Sequence, residues 1–264
     1  MLELYQFELS HYCEKIRLIL DYKGLPYRKI EVTPGVGQLD VFRLSGQRQV
    51  PVLKDGDEVI ADSTAIADYL DKTYPERPII PDDPKLRGLT LLIEQWADES
   101  IAINGRKCMI DALGKDQAFR RSFLPITTPD LVKDLLGAVP AELFGVLELG
   151  VGLTPDAIKA ATDAAKRDFT ALCFMLMEQP YLVYDQPTLA DFAVAGLSMY
   201  FKFPAGPYLD IPESLKGHGV PGISDVGTFE PFFAWRDRLY ATYRKATVPT
   251  ATSSGSGPTS INID

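Results

Sequence analysis

The chain is poor in the residues that mark metal sites, disulfide scaffolds and nucleic-acid binding. Its 264 residues include three cysteines, Cys13, Cys108 and Cys173, and two histidines, His11 and His218. The cysteines lie far apart and match no zinc-ligand spacing, so neither a disulfide framework nor a structural metal is expected. Basic residues form no run, and the net charge is −9. Such a chain repels a phosphate backbone, which argues against a nucleic-acid partner. Long hydrophobic runs are missing too. The most apolar long stretch, residues 131–153, carries Lys133, Asp134, Glu142 and Glu148 and is interrupted by Pro140, which excludes a membrane-spanning helix. No basic stretch leads into an apolar run at the start, so no signal peptide is expected. Scattered free thiols suit a reducing, cytoplasmic setting.

What is present is an ordinary globular composition, 46% hydrophobic and 24% charged, over a length that suits two domains. Residues 2–7 alternate and are rich in Leu, Tyr and Phe, which predicts a strand. Ser10 then precedes a helical pattern marked by Ile16, Ile19, Leu20 and Lys23, and Gly24 closes it. Residues 27–32 read as a second strand, so that the three elements form a right-handed unit with parallel strands. A weak helix at 38–44 follows. Two short apolar runs, 50–53 and 59–61, flank Asp55-Gly56 and read as an antiparallel hairpin. Asp62-Ser63 opens another helix with Ile66, Tyr69 and Leu70 on its apolar face.

A proline-dense linker follows, carrying Pro75, Pro78, Pro81 and Pro84. Beyond it the chain reads as helical. Leu89, Leu92, Ile93, Trp96 and Ala97 form an apolar stripe. Thr154-Pro155-Asp156 is a strong helix start. Thr188 and Asp191 resemble a capping box, and Phe232, Phe233, Leu239, Tyr240 and Tyr243 mark a last helix. The tail beyond 250 is rich in Ser, Gly and Thr and is expected to be disordered.

Three local features carry chemistry. Ser10, between a strand and a helix start, stands where backbone N–H groups and the helix dipole favour an anion. A hydroxyl there would favour a thiolate. A free thiol has a pKa of roughly 8.5, and a hydrogen bond to a charged group is worth on the order of 1.5–3 kcal/mol, or about one to two pKa units. Pro51, after Gln49-Val50, invites a cis bond that would turn the Val50 N–H and C=O outward to pair with an extended peptide. Asp62 and Ser63, at a helix N-terminus, suit the ammonium and carboxylate of an amino acid. Singly, Ser10 and the Asp62-Ser63 pair read more simply as N-caps, and Pro51 reads equally as a trans proline on an edge strand.

Together, and in this order and spacing, the three resemble the N-terminal domain of cytosolic glutathione transferases. The resemblance runs through YQFELSHYCEKIRLIL and RQVPVLKDGDEVIADSTAIADYL and continues in TLADFAVAG of the helical half. It implies an α/β thioredoxin-like N-terminal domain plus an all-α C-terminal domain. The expected division is a glutathione-binding domain at 1–72, a linker at 73–85, a helical domain at 86–249 with a long insertion near 106–154, and the tail at 250–264. It further implies glutathione as co-substrate, no metal, and a small apolar electrophile as second substrate, a detoxifying activity in the cytoplasm, and a homodimer. Ser10 takes the catalytic position. Val50 and Pro51 match the pair that holds the cysteinyl part, Asp62 and Ser63 the γ-glutamyl end, and Gln49 the glycyl carboxylate. Tyr12 flanks the ligand.

The sequence departs from thiol-active relatives, which begin this motif with cysteine. Here only the second cysteine, Cys13, is kept, so a dithiol redox mechanism is disfavoured. A glutathione-dependent redox protein using Cys13, and a non-catalytic protein binding glutathione or apolar ligands, stand as alternatives. His11 replaces the usual proline; it reads as a hydrogen-bond partner for an electrophile or as a solvent-facing side chain, and the second is the expectation. The apolar, acid-bearing insertion reads as a lid, an interface or extra packing, and Tyr200, Phe201, Phe203 and Tyr208 as site lining or core.

Overall fold

The computed structural model describes residues 1–32, 37–116, 119 and 154–247. The expectations for the tail, and for the insertion beyond residue 119, lie outside the described residues. Strand β1 (Leu2–Gln6) leads through Ser10 into α1 (His11–Tyr22), then β2 (Tyr27–Glu31), α2 (Gln38–Ser45), β3 (Val52–Asp55), β4 (Glu58–Ala61) and α3 (Ser63–Thr73). The sheet order is β2-β1-β3-β4. β1 and β2 run parallel, with Leu4 beside Lys29. β1 and β3 are antiparallel with Leu4 opposite Leu53, and β3 and β4 with Leu53 opposite Ile60.

Period-two alternation sorts these strands into two faces. Leu2, Leu4 and Leu53 meet Ile16, Ile19, Leu20, Ile66 and Leu70 of α1 and α3. Val52, Tyr5 and Val59 meet Val41 and Leu44 of α2 on the other face. Gly24, at φ +71°, ends α1 in the left-handed region that glycine enters without strain.

The helical half begins with α4 (Pro84–Trp96), capped by Asp83. A π-helical turn, Ala97–Ala102, joins it directly to α5 (Ile103–Lys115). Next come α6 (Pro155–Met175), capped by Thr154, then α7 (Leu189–Leu197) and α8 (Glu230–Tyr243). Every residue of α7 is buried. Its capping box is complete, with Asp191 accepting from the Thr188 N–H at 2.8 Å, the Thr188 hydroxyl at 2.9 Å and the Leu182 N–H at 2.8 Å. Phe169 of α6 packs against Phe201, Phe232 and Phe233.

Between the two halves α1 is buried almost all round. Gly196 of α7 lies so close to it that a Cβ there would stand 2.7 Å from the Lys15 nitrogen. Arg244, just past α8, reaches back to Glu14 at 3.0 Å and Asp21 at 2.6 Å. No helix among the described residues is long and apolar enough to cross a membrane.

One sequence expectation is corrected. The stripe on α4 does not all face the core: Leu89 and Leu92 are exposed, at 38% and 66%, whereas Thr90 and Glu94 are buried. Glu94 tolerates burial because it is paired with the buried Lys15 at 2.5 Å, a compensation that hydrophobic periodicity does not register.

Candidate active site

A cleft of about 700 Å3 opens between the sheet domain and the helical half. Ser10, Tyr12, Gln49, Val50, Pro51, Asp62 and Ser63 all line it. The structure thus gathers every site residue expected from sequence around one cavity, although they come from three separate stretches of chain.

Ser10 caps α1. Its Oγ accepts the Cys13 N–H at 3.3 Å, which leaves its own O–H to donate elsewhere. The bond between Val50 and Pro51 is cis, and both residues line the cleft just before β3 begins. Asp62 holds φ +80°, a conformation costly for a residue with a side chain. Its carboxylate accepts from the N–H groups of Thr64 at 2.9 Å and Ala65 at 3.1 Å, which fixes the start of α3. Ser63 beside it is buried. Tyr12 donates its hydroxyl to the Asp98 carbonyl at 3.3 Å. Burial, then the nearby Asp98 and Glu99 charges, push that hydroxyl up to about 12, so it stays protonated.

The helical half supplies the opposite wall with Gln95, Asp98, Glu99, Ile103, Arg106 and Tyr200. Asp98 and Glu99 lie in the π-helical turn, a feature often found at functional sites. Sequence reasoning missed five of these, Gln95, Asp98, Glu99, Ile103 and Arg106, and it missed Arg48 and Thr64 on the other side. Arg48 was readable as a cation next to Gln49. For the helical residues no local signal exists, since the bulge that presents them is a property of backbone geometry. Of the aromatic group considered from sequence, Tyr200 lines the cleft, Phe201 and Phe203 are fully buried, and Tyr208 packs on the core away from it.

His11 requires a correction. It does not face solvent but is only 5% exposed. Its ring packs between Tyr12 at 4.5 Å and Tyr200 at 4.3 Å, and neither ring nitrogen has a hydrogen-bond partner among the described residues. Burial, reinforced by the Arg106 charge, pushes its pKa down to about 3, so it is neutral at working pH. Cys13 is fully buried and burial raises its thiol pKa. A buried, protonated thiol is a poor nucleophile, and this weighs against the redox alternative.

Residues 4–78 match the family model for the glutathione S-transferase N-terminal domain. Among curated proteins, 98 residues are 36% identical to a glutathione S-transferase of Triticum aestivum, covering 37% of this chain and 46% of that protein. A 91-residue stretch is 41% identical to glutathione S-transferase Z2 of Arabidopsis thaliana, covering 33% and 41%. A 99-residue stretch is 34% identical to the stringent starvation protein A homolog of Pasteurella multocida, covering 36% and 47%. The match spans under half the length of each of these relatives. Likeness of fold extends much further. A β-etherase from Sphingobium sp. superposes with a TM-score of 0.66 at 21% identity, covering 91% of this chain and 95% of that one. A rice glutathione transferase solved with glutathione superposes at 0.60 with 16% identity, covering 93% and 92%. At these identities the likeness is one of fold.

Proposed function

Because residues 4–78 match the glutathione S-transferase N-terminal domain and the chain shares the fold of solved glutathione transferases across both halves, we propose that it conjugates glutathione to small apolar electrophiles. The observation that carries this reading is the position of Ser10. It ends the loop after β1, caps α1 and opens onto the cleft.

A glutathione thiol placed there would meet the Ser10 O–H and the positive end of α1. Both stabilise the thiolate, and the thiol proton leaves to solvent. The thiolate sulfur then forms a bond to the electrophilic carbon, and the leaving group departs with its electron pair. Val50 would pair with the cysteinyl backbone, Asp62 and Ser63 would hold the γ-glutamyl end, and Gln49, with Arg48 adding fixed charge, the glycyl carboxylate. Tyr12, Ile103 and Tyr200 would form the apolar wall for the second substrate. Preorganisation and electrostatics, rather than covalent participation of the protein, would supply the rate. Detoxification in the cytoplasm is the role such chemistry fits.

Exposed Leu89, Leu91 and Leu92 on α4 support a homodimer in which a second copy covers them, a state that sedimentation of the full chain would reveal. The catalytic reading is tested by steady-state conjugation with activated alkyl and aryl halides. Ser10→Ala is expected to lower kcat with little change in glutathione affinity. Wild-type turnover in that variant would remove Ser10 from the mechanism.

A further inference from the structure

Lys15 is a lysine with no exposed surface, placed one turn into α1 behind the wall of the cleft. Its ammonium lies 2.5 Å from Glu94, 3.0 Å from Asp98, and 3.4 Å from each of the Ser63 and Thr64 hydroxyl oxygens. Those partners come from α3, α4 and the π-helical turn, so one cation ties the sheet domain to the helical half. Thr64 joins the cluster by donating to Glu94 at 2.6 Å, with Asp98 at 3.2 Å as a further acceptor.

Stability alone does not account for this cluster. Buried ion pairs are often replaceable by packed apolar side chains at no loss. Two features instead point at the cleft, which Ser63, Thr64 and Asp98 line. First, an ammonium has only N–H donors. In its contact with Lys15, Ser63 Oγ can therefore only accept, sharing the third N–H with Thr64, and its own O–H is left to donate. Second, the buried charges do not cancel. Lys15 brings one positive charge against the two carboxylates of Glu94 and Asp98. Glu94 is 2% exposed, whereas Asp98 keeps 18% of its side chain open. Asp98 is thus the carboxylate of the pair that is open to the cleft. A donor and a carboxylate that shares its cation with Glu94, both set by that one buried ammonium, are complementary to the carboxylate and ammonium of an α-amino acid.

We propose that Lys15 is a positioning residue that sets Ser63 and Asp98 to read the zwitterionic γ-glutamyl head of the co-substrate. This inference rests on the proposed function, since it presumes that glutathione is the molecule in the cleft.

The test is calorimetric titration of the full chain with three tripeptides: glutathione, the analogue without the α-amino group, and the analogue without the α-carboxyl group. In wild type each deletion is expected to weaken binding by about tenfold or more, as for loss of a charge-assisted hydrogen bond. In Lys15→Met, glutathione should bind more weakly and both deletion penalties should shrink below about threefold. Equal weakening of all three ligands, with the penalties preserved, would mean that Lys15 only supports the fold and would overturn the proposal. So would no change at all. Asp98→Asn, which leaves Lys15 paired with Glu94, should shrink the amino penalty alone. If it shrinks both penalties equally, or neither, the proposal also falls, whether or not Lys15→Met folds. Failure of wild type to bind any of the three would refute the proposed function itself.

Discussion

Two helical glycines, Gly88 within α4 and Gly196 in the last turn of α7, are expected to respond in opposite ways to the same substitution. Ala is the better helix former by about 1 kcal/mol at either position. At Gly88 on α4 an added Cβ meets nothing within 4 Å, so Gly88→Ala should stabilise the protein by roughly 0.5–1 kcal/mol. At Gly196 on α7 the Cβ would lie 2.7 Å from the Lys15 nitrogen, 2.8 Å from its Cα and 3.3 Å from the Glu14 carbonyl carbon. These are backbone atoms of a buried helix and have no rotamer to change, so α1 and α7 must separate by several tenths of an ångström. Overpacking costs about 1–3 kcal/mol, and contact with backbone that cannot rotate away puts this site in the upper part of that range, about 2–3 kcal/mol. Set against the propensity gain, the net loss is about 1–2 kcal/mol, or a Tm lower by roughly 2–8 °C for a chain of this size. Because α1 is capped by Ser10 and carries Lys15, glutathione binding should weaken as well. Urea unfolding of both variants, compared at equal m-value, measures the two effects. A Gly196→Ala protein as stable as wild type, or more so, would refute the claim that these helices meet backbone to backbone.

Asp191→Ala leaves two backbone N–H groups and the Thr188 hydroxyl without an acceptor; it should cost about 3–6 kcal/mol, read from urea unfolding. Burial opposes the charge of Glu8, yet Arg17, Lys29, the Asp210 N–H and Gln6 hold its carboxyl down to about 2 from 4.5. A depressed acid contributes stability that is present above its unfolded value and is lost as pH falls toward 2. That contribution is about 3 kcal/mol, and Glu8→Gln should flatten that part of the stability profile in an acid titration followed by circular dichroism.

The sheet domain was legible because its strands alternate and its helices carry their own stops. Gly24, Asp55-Gly56 and the Asp62 cap fall at the ends of elements in the structure. That Ser10, Pro51 and Asp62 would line one cleft was legible for a related reason: each carries a local backbone signature. What escaped was whatever depends on distant pairing. Lys15, Arg17 and Arg236 are fully buried, yet by composition they read as surface. His11 is enclosed by Tyr200, far along the chain, so nothing near it in sequence foretold its burial. Asp98 lines the cleft because a π-helical turn presents it there.

In the proposed reaction Ser10 and the start of α1 turn bound glutathione into its thiolate. The direct measurement is an ultraviolet difference spectrum of glutathione added to wild type and to Ser10→Ala across pH. Wild type should give a thiolate band that saturates with glutathione at neutral pH. In the variant the titration midpoint should move up by about one to two pKa units, the worth of one hydrogen bond to a charged sulfur. The same midpoint in both proteins, or no saturable band in wild type, would contradict the account.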